Sequence, residues 1–254
     1  MKKQLVSLGI ASCLVCFGVA ANAATLMPDA DAFGQQSSAT TNFGTDAILR
    51  VKNDAGAGTN QRKAYIRYDS SSLVGTVENA TLNLNFVDTG LGAGGTTINW
   101  EFEVYGLNNG DPGEAWVEGD GGTDATATSP PGELTWNNAP ANDTGSGFAF
   151  LANATSLGTF DLLGRDGTVN FTSSDLIDFL NDDTDGLVTF MIARNTEQPN
   201  SSNTYVHGIA SLENSTVDAA TLDVTLAVPE PATVAIWVLL GVIGMGYGWR
   251  RCRA

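Results

Sequence analysis

The chain has 254 residues, with 12 lysines and arginines against 28 aspartates and glutamates, and a formal net charge of −16 at pH 7. The imbalance is larger in residues 24–227, which hold seven of the cations and 27 of the acids and so carry −20. A surface this acidic repels the phosphates of nucleic acids and anionic lipids, so the composition excludes nucleic acid as a partner and favours solubility.

The first 23 residues have the organisation of a secretory signal peptide. Lysines at positions 2 and 3 precede an apolar stretch from Leu5 to Ala21, and Ala21-Asn22-Ala23 matches the small-residue pattern that signal peptidase cleaves. We therefore expect export across the inner membrane and a mature chain that begins at Ala24. An N-terminal anchor that is never cleaved is the alternative.

The segment between residues 24 and 227 contains no cysteine, because Cys13 and Cys16 lie in the signal peptide and Cys252 lies near the C-terminus. Its stability must therefore come from burial of an apolar core and not from disulfides. Its length of about 200 residues is enough for one domain with a sizeable core.

Period-two alternation of apolar and polar residues dominates this segment, between clusters of Gly, Asn, Asp and Ser. The alternation is clearest in Thr97–Tyr105, where Trp100, Phe102 and Val104 share one face. Further strands are predicted at Ala47–Val51, Lys63–Tyr68, Ala80–Val87, Gly158–Leu162, Thr168–Phe171, Leu187–Ala193, Thr204–Ile209 and Ala220–Ala227. Many short strands joined by glycine-rich turns predict an all-β fold, a jelly-roll-like β-sandwich.

One short helix interrupts the strands. Thr172-Ser173-Ser174-Asp175 has the spacing of a capping box, Leu176–Leu180 supplies an apolar face, and Asp182–Gly186 is expected to end the helix. Long loops are predicted at Gly90–Thr96 and Asn108–Gly132. Loops of this length are frequently functional.

The end of the chain has the organisation of a membrane anchor. From Ala232 to Trp249 there are 18 residues without a charge, and a helix of that length covers about 27 Å, close to the thickness of a bilayer's hydrocarbon core. Arginines at positions 250, 251 and 253 favour the cytoplasmic side for its end, which places everything before Pro229 outside the cytoplasm. We predict a C-terminal transmembrane helix over 232–249; a buried core helix is the alternative.

This tail resembles the PEP-CTERM sorting signal, because Val228-Pro229-Glu230-Pro231 precedes a single apolar helix and a short basic end. The resemblance implies recognition and cleavage near the Pro-Glu-Pro motif by an exosortase, followed by release or attachment at the cell surface. The inner membrane would then hold the protein only transiently. The expected division is a signal peptide at 1–23, a β-sandwich domain at 24–227 and the sorting signal at 228–254.

The order of segments in residues 24–227 resembles the DNRLRE domain, also described as carbohydrate-binding module family 96. The segments that carry the resemblance are Asp29–Phe33, Asn42–Thr45, Leu49–Lys52, Arg62–Asp69, Ser71–Leu73, Ala80–Leu84, Thr135–Pro140, Leu176–Leu180, Gly186–Ile192, Ala210–Glu213 and Leu222–Leu226. The resemblance implies a β-sandwich that binds acidic polysaccharide such as alginate. This chain departs from the family at Ser211-Leu212-Glu213, where Ser-Arg-Glu is usual.

The cations of this acidic segment are clustered, since five of the seven fall within the 18 positions from Arg50 to Arg67. If the two strands that carry them pair, the cations form one patch that can hold uronate carboxylates by charge-assisted hydrogen bonds. Aromatic side chains in or near it can stack on sugar rings. The predicted polysaccharide-binding residues are Arg50, Lys52, Lys63, Tyr65, Arg67 and Trp116. Surface ion pairs of small energetic weight are the alternative for the cations.

The two tryptophans of the central region receive different predictions. Trp116 lies in the glycine-rich, acidic loop, and we expect it to be exposed as a stacking platform. Trp136 follows Leu134 at period two and is predicted to be a core residue.

No cofactor is expected, except that two acidic groups offer oxygen ligands to calcium. These groups are Asp182, Asp183 and Asp185 before a glycine, and Asp29 with Asp31. Neither group has the spacing of an EF-hand, and a solvated acidic turn explains the first equally well.

Catalytic motifs are absent from the sequence, which has no G-x-S-x-G, no H-E-x-x-H and no P-loop. His207, the single histidine, alternates with Tyr205 and Ile209 and is predicted to be packed and not catalytic. We therefore predict a non-enzymatic protein of the cell surface or biofilm matrix that binds acidic exopolysaccharide. A structural matrix protein without sugar affinity is one alternative. A polysaccharide lyase is another, which a groove containing Tyr205, His207 and an arginine would favour.

Overall fold

A computed structural model describes residues 22–56, 58–92, 98–122, 132–200 and 204–227. Residues 22–227 form one compact unit. The described strands are β1 (Asn22–Leu26), β2 (Ala30–Gln35), β3 (Ile48–Val51), β4 (Arg62–Asp69), β5 (Val77–Val87), β6 (Asn99–Leu107), β7 (Ala154–Leu163), β8 (Gly167–Phe171), β9 (Leu187–Arg194), β10 (His207–Ala210) and β11 (Thr221–Leu226). One 3-10 turn (Gln36–Ser38) and one α-helix, α1 (Ser174–Asp182), complete the described elements.

The strands form two antiparallel sheets. The six-stranded sheet has the order β1-β11-β5-β10-β3, with β8 also paired to β5, and the five-stranded sheet has the order β2-β4-β9-β6-β7. Apolar side chains from both sheets share one buried core, which includes Leu82 and Leu222 from the first sheet and Phe102 and Phe190 from the second. This arrangement confirms the prediction of a β-sandwich, while the closer assignment to the jelly roll stays a prediction.

The alternation in β6 explains how this core forms. Trp100, Phe102 and Val104 are buried in the sandwich, whereas Glu101 and Glu103 lie on the opposite face. Complete burial of one large apolar side chain is worth about 1.5–3 kcal/mol, so a strand of this pattern is strongly held in one register.

A second, smaller core lies on the other face of the five-stranded sheet. The long connection between β6 and β7 packs Trp116 and Leu134 against Tyr65 of β4 and Met191 of β9. As a result, both faces of β4 and β9 are buried, and Tyr65 is as inaccessible as its neighbour Ile66. The described part of the predicted Asn108–Gly132 loop is therefore a packed layer of the fold.

Helix α1 begins one residue later than a capping box at Thr172 requires. Its N-cap is Ser173, whose Oγ accepts a hydrogen bond from the N–H of Leu176 at 2.9 Å. Leu176 and Leu180 are buried against the sandwich, as predicted, and Asp182 is the last helical residue. Gly186, in a left-handed conformation with φ of 84°, begins the return into β9.

All nine predicted strands are present, and β10 begins at His207 instead of Thr204. Strands β1 and β2 were not predicted. Cleavage after Ala23 falls inside β1 and would leave Ala24–Leu26 to pair with β11. No helix within the described ranges is long and apolar enough to span a membrane. The predicted span at 232–249 and the predicted sorting motif lie outside the described residues.

Candidate functional site

The single cation patch considered in the sequence analysis depends on pairing between β3 and β4, and the two strands do not pair. The two strands belong to different sheets and meet at a single bridge between Lys52 and Arg62. Strand β3 pairs instead with β10, where Arg50 faces Gly208. Strand β3 is an edge strand of the six-stranded sheet, and it contacts both β4 and the edge strand β2 of the five-stranded sheet. The five cations therefore divide among several environments.

Lys63 lies in the interface between the five-stranded sheet and the β6–β7 connection, and none of it is exposed. Its ammonium donates to Oδ1 of Asn142 at 2.8 Å and to the carbonyl oxygens of Asp143 and Ala149 at 3.2 and 2.6 Å. The ring of Phe150 lies 4.6 Å away. Burial lowers the pKa of Lys63 to about 7. Lys63 thus holds a loop in place and has no surface to offer a polymer.

Lys52 is also completely buried, with its ammonium 3.2 Å from a carboxylate oxygen of Asp54. Burial lowers the pKa of Lys52, and the charge of Asp54 opposes that shift. In this structure neither Lys52 nor Lys63 is accessible to a polysaccharide.

The two predicted stacking residues are buried as well. Trp116 is 1 % exposed, its Nε1 donates to Oγ1 of Thr189 at 3.1 Å, and its ring meets that of Tyr65 edge-on. The expectation that Trp116 is exposed is wrong, because the glycine-rich loop folds onto the sheet. Trp136 is 2 % exposed, which confirms its prediction as a core residue.

Arg67 is partly exposed but is committed to other groups. Its guanidinium forms a two-pronged ion pair with Asp29, at 2.8 Å for the shorter contact, and also donates to the carbonyl oxygen of Trp116. The guanidinium carbon lies 5.3 Å from the centre of the Trp116 ring. Asp29 is therefore a partner of Arg67, which argues against Asp29 as a calcium ligand.

Arg50 and Arg62 form an arginine pair with unused donors. The Nε of Arg50 and both Nε and Nη1 of Arg62 have no hydrogen-bond partner among the described residues. The other contacts are long: Arg50 reaches Asp46 at 3.6 Å, and Arg62 reaches Asn60 at 3.4 Å. Burial and, to a smaller extent, the nearby charge of Arg50 lower the pKa of Arg62 to about 10. Buried guanidinium donors without acceptors are costly, so this pair can accommodate an anion.

A polar pocket of about 340 Å³ lies beside the arginine pair. The two features adjoin because Gln35 pairs with Arg62 across β2 and β4, and the next residue, Gln36, donates its N–H to the carbonyl of Gln61. The residues that line this pocket, which we call the amide pocket, include Gln36, Asn53, Asp54, Gln61, Phe148, Asn195 and Glu197.

The lining of this amide pocket has the chemistry of a sugar site. Oε1 of Gln36 and Oδ1 of Asn195 are buried and have no partner among the described residues, so each is an unused hydrogen-bond acceptor in the lining. Phe148 is 47 % exposed, which is unusual for a large aromatic residue and offers a ring for stacking. Sequence reasoning missed this pocket, because its residues come from four separate segments.

A larger pocket of about 610 Å³ lies between α1 and the ends of β6 and β7. Asp175, Asp178 and Asp182 line it together with Phe179. Three carboxylates repel a polyanion, so this pocket does not suit an acidic polysaccharide.

The structure brings His207 together with an arginine, the combination that the lyase hypothesis requires. Nδ1 of His207 accepts from Arg194 at 2.9 Å, and Nε2 donates to the carbonyl of Gly164 at 3.0 Å. Burial lowers the pKa of His207 to about 3, with the Arg194 charge adding to the shift. His207 is fully buried, which confirms its prediction as a packed residue and leaves it outside any described groove.

Two of the aspartates proposed as calcium ligands at the end of α1, Asp183 and Asp185, stabilise a turn. Oδ1 of Asp183 accepts from the N–H groups of Asp185 and Gly186. Asp185 also neighbours Glu114, which is 3 % exposed; burial and the charge of Asp185 raise the pKa of Glu114 to about 8. These carboxylates are explained by the local structure.

Asp31 belongs instead to a carboxylate trio that the sequence did not predict. Oxygens of Asp31, Glu118 and Glu213 lie within 4.8 Å of one another, the one such acidic group among the residues that the structure describes. Burial raises the pKa of Asp31 to about 8, and the charges of Glu213 and Glu118 add to the shift. The three residues are 87 and 95 positions apart, so no spacing rule could have joined them.

Comparison with known proteins adds a family to this geometry. None of the curated proteins compared with the chain matches it. Residues 22–162 match the family described as carbohydrate-binding module family 96. The matched range runs from β1 into β7 and includes the arginine pair and most of the amide pocket. Because the match covers more than half of the sequence, the chain belongs to carbohydrate-binding module family 96.

Proposed function

We propose that this protein is a non-catalytic binding protein whose β-sandwich holds an acidic, alginate-like polysaccharide at the arginine pair. The observation that carries the proposal is the set of three buried guanidinium nitrogens on Arg50 and Arg62 without a hydrogen-bond partner among the described residues. Family membership supports carbohydrate as the ligand class. The unused arginine donors support carboxylate-bearing sugars within that class.

The charge of the domain makes such a local site necessary. With a formal charge of −20 in residues 24–227, the protein repels a polyanion at long range. Binding therefore needs a place where opposite charge is concentrated and poorly satisfied. A uronate carboxylate can accept two hydrogen bonds from one guanidinium, and it also relieves the repulsion between the two arginines.

The amide pocket supplies the contacts that a sugar ring needs beside its carboxylate. Gln36 and Asn195 offer free carbonyl oxygens to hydroxyl donors, and the exposed ring of Phe148 offers an apolar face. Asp54 and Glu197 also line the pocket, where they can accept from hydroxyl groups but repel a second carboxylate. We therefore assign carboxylate binding to the arginine pair and hydroxyl binding to the pocket.

Lys52, Lys63, Tyr65 and Trp116 contribute to this function as the support of the site. Their side chains are completely or almost completely buried. Arg67 is partly exposed, 16 % of its side chain, and is retained as a peripheral contact. Arg50 thus remains the predicted residue with the greatest capacity to touch the polymer.

Export and processing complete the proposal. The signal peptide at 1–23 would direct the chain across the inner membrane, and the span at 232–249 would hold it there until an exosortase cleaves near Val228-Pro229-Glu230-Pro231. The domain at 24–227 would then reside at the cell surface or in the biofilm matrix. The support is the order of sequence features at the two ends of the chain.

Affinity electrophoresis tests the binding function. Residues 22–227 would be run through native gels that contain alginate, pectate or a neutral glucan, beside Arg50→Gln and Arg62→Gln variants. Arg165→Gln is the matched control, because Arg165 is an exposed arginine in a surface ion pair with Asp88. We expect retardation by a uronate polymer and not by the glucan.

The variants decide where the polymer binds. Loss of one charge-assisted contact is worth about 1.5–3 kcal/mol, so each arginine variant should bind at least about tenfold more weakly while the control is unchanged. Free migration in every gel would refute the binding function and favour a structural matrix protein. Equal retardation of all variants would refute the arginine pair as the site.

A further inference from the structure

The carboxylate trio joins three distant parts of the fold. Asp31 lies on β2, Glu118 on the β6–β7 connection, and Glu213 on the turn that follows β10. The N–H of Asp31 donates to Oε1 of Glu118 at 3.1 Å, and Oδ2 of Asp31 accepts from the N–H of Leu212 at 2.9 Å. Backbone contacts thus fix the floor of the group.

One carboxylate oxygen of this group lacks a hydrogen-bond partner in the described part of the chain. Asp31 is completely buried, and its Oδ1 has no hydrogen-bond partner among the described residues. The hydroxyl of the buried Tyr68 also lacks a partner in that part of the chain, and the charge of Asp31 contributes to its raised pKa. A buried carboxylate oxygen without a donor is costly, so a ligand that contacts it is strongly favoured.

The surroundings do not offer a side-chain cation to the trio. None of the ion pairs found within the described ranges involves Asp31, Glu118 or Glu213. The charge of Arg67 acts on Glu118, but its guanidinium is already paired with Asp29. Three mutually close carboxylates therefore lack a positive partner from the protein.

We propose that Asp31, Glu118 and Glu213 bind a divalent cation of the calcium type. Calcium takes oxygen ligands at about 2.3–2.6 Å, so two ligands on opposite sides of the ion lie about 5 Å apart, which agrees with the 4.8 Å limit on the trio. Asp31 forms the buried floor, Glu118 is half-buried, and Glu213 lies at the exposed mouth. The ion enters from solvent at Glu213 and can keep water ligands on that side.

The cation joins the edge of the five-stranded sheet to its covering loop and to the six-stranded sheet. Glu118 belongs to the connection that packs over the outer face of the five-stranded sheet, and Glu213 follows the strand that pairs with β3. The ion therefore stabilises the packed arrangement of these segments. Its site lies at the opposite end of β2 from Gln35, which pairs with Arg62, so it is separate from the arginine pair.

Calorimetry and thermal unfolding of the full chain test this site. The protein would be purified in a nonionic detergent, stripped with EDTA, and titrated with CaCl₂ and, separately, with MgCl₂. We expect one calcium ion per chain and a rise in Tm of roughly 5–10 °C at a calcium concentration about 100 times the Kd. Absence of both calcium-dependent heat and a Tm change would overturn the proposal.

Two variants locate the ion, and a third controls for charge. Glu213→Gln is the main test because Glu213 is exposed and its substitution leaves the floor intact; it should weaken calcium binding at least about tenfold. Asp31→Asn should abolish the calcium-dependent rise in Tm. Asp218→Asn, at an exposed carboxylate elsewhere, should leave both measurements unchanged. Calcium binding by Glu213→Gln and Asp31→Asn equal to that of the unsubstituted chain would assign the ion to another site and overturn the proposal.

Discussion

Replacement of Lys63 by methionine should lower the free energy of unfolding by more than the loss of a single charge suggests. The ammonium donates to three oxygens of the segment from Asn142 to Ala149 and lies 4.6 Å from the ring centre of Phe150. Methionine keeps much of the volume and the apolar stem but has no donor. The substitution therefore removes the hydrogen bonds without opening a large cavity.

The expected loss follows from the three acceptors. The contact to Oδ1 of Asn142 is buried, and a stranded acceptor there costs about 1–3 kcal/mol. The carbonyls of Asp143 and Ala149 are partly buried and can turn to water, so each costs about 0.5–1 kcal/mol. Relief from burying an ammonium offsets part of this sum. We expect Lys63→Met to lower the free energy of unfolding by about 2–3 kcal/mol.

Urea denaturation of residues 22–227, followed by tryptophan fluorescence, measures this loss. Arg165→Met is the matched control, because its ion pair with Asp88 is about 40 % exposed on both sides and is worth less than about 1 kcal/mol. A loss for Lys63→Met no larger than that of the control would refute the reasoning.

The pH dependence gives a second check on Lys63. Its folded pKa, about 7, lies below the ordinary value of 10.5, so its contribution to stability is fully present above pH 10.5 and is lost as the pH falls through 7. The free energy of unfolding of the parent minus that of Lys63→Met should therefore be larger at pH 9.5 than at pH 6. A difference that shrinks as the pH rises would contradict the assignment of a depressed pKa.

Three further predictions follow from buried groups and from the chain ends. Burial and the charge of Asp185 raise the pKa of Glu114 to about 8, so its contribution to stability is present below about pH 4.5 and is lost as the pH rises through 8. Glu114→Gln should remove this loss. Tm values that fall equally in parent and variant between pH 5 and 9 would contradict the prediction. Trp116→Phe loses the hydrogen bond to Thr189 and should cost about 1–2 kcal/mol in urea denaturation without changing gel retardation by a uronate polymer; reduced retardation at unchanged stability would return Trp116 to the binding site. Mass spectrometry of the protein from its producing cells should find a mature N-terminus at Ala24 and a C-terminus near the Pro-Glu-Pro motif, whereas an intact chain of 254 residues would exclude both cleavages.

The strands were predictable where one of their faces is more polar than the other. β6 alternates between buried apolar and more exposed polar residues, and β5 shows the same pattern over most of its length. β2, with the sequence Ala-Asp-Ala-Phe-Gly-Gln, is buried on both faces and has no such alternation, so it was missed. Periodicity therefore located the sandwich but not this edge strand.

The covering layer could not be predicted from local sequence. The β6–β7 connection is rich in Gly, Asp and Thr, which is typical of a solvated loop, yet it supplies Trp116 and Leu134 to a buried cluster. Its contacts also bury the face of β4 that the alternation pattern predicts to be exposed. Lys63, Tyr65 and Arg67 do share the face opposite Ala64 and Ile66, as predicted, but that face is the floor of a second core and not a surface.

Satisfaction of polar groups distinguishes the cations that the sequence treated as equivalent. Lys63 donates to three protein acceptors, and Arg67 is paired with Asp29, so both residues stabilise the fold. Arg50 and Arg62 keep donors that no described residue accepts, and Asp31 keeps an acceptor that no described residue fills. A buried polar group destabilises the fold unless it has a hydrogen-bond partner. The unpaired arginine donors and the unpaired aspartate oxygen lie at opposite ends of β2 and belong to groups of opposite charge, so two different ligands explain them most simply. A carboxylate suits the arginine end and a divalent cation suits the aspartate end. Calcium titration of Arg62→Gln separates the two, because calcium binding should persist in a variant that no longer binds the polymer.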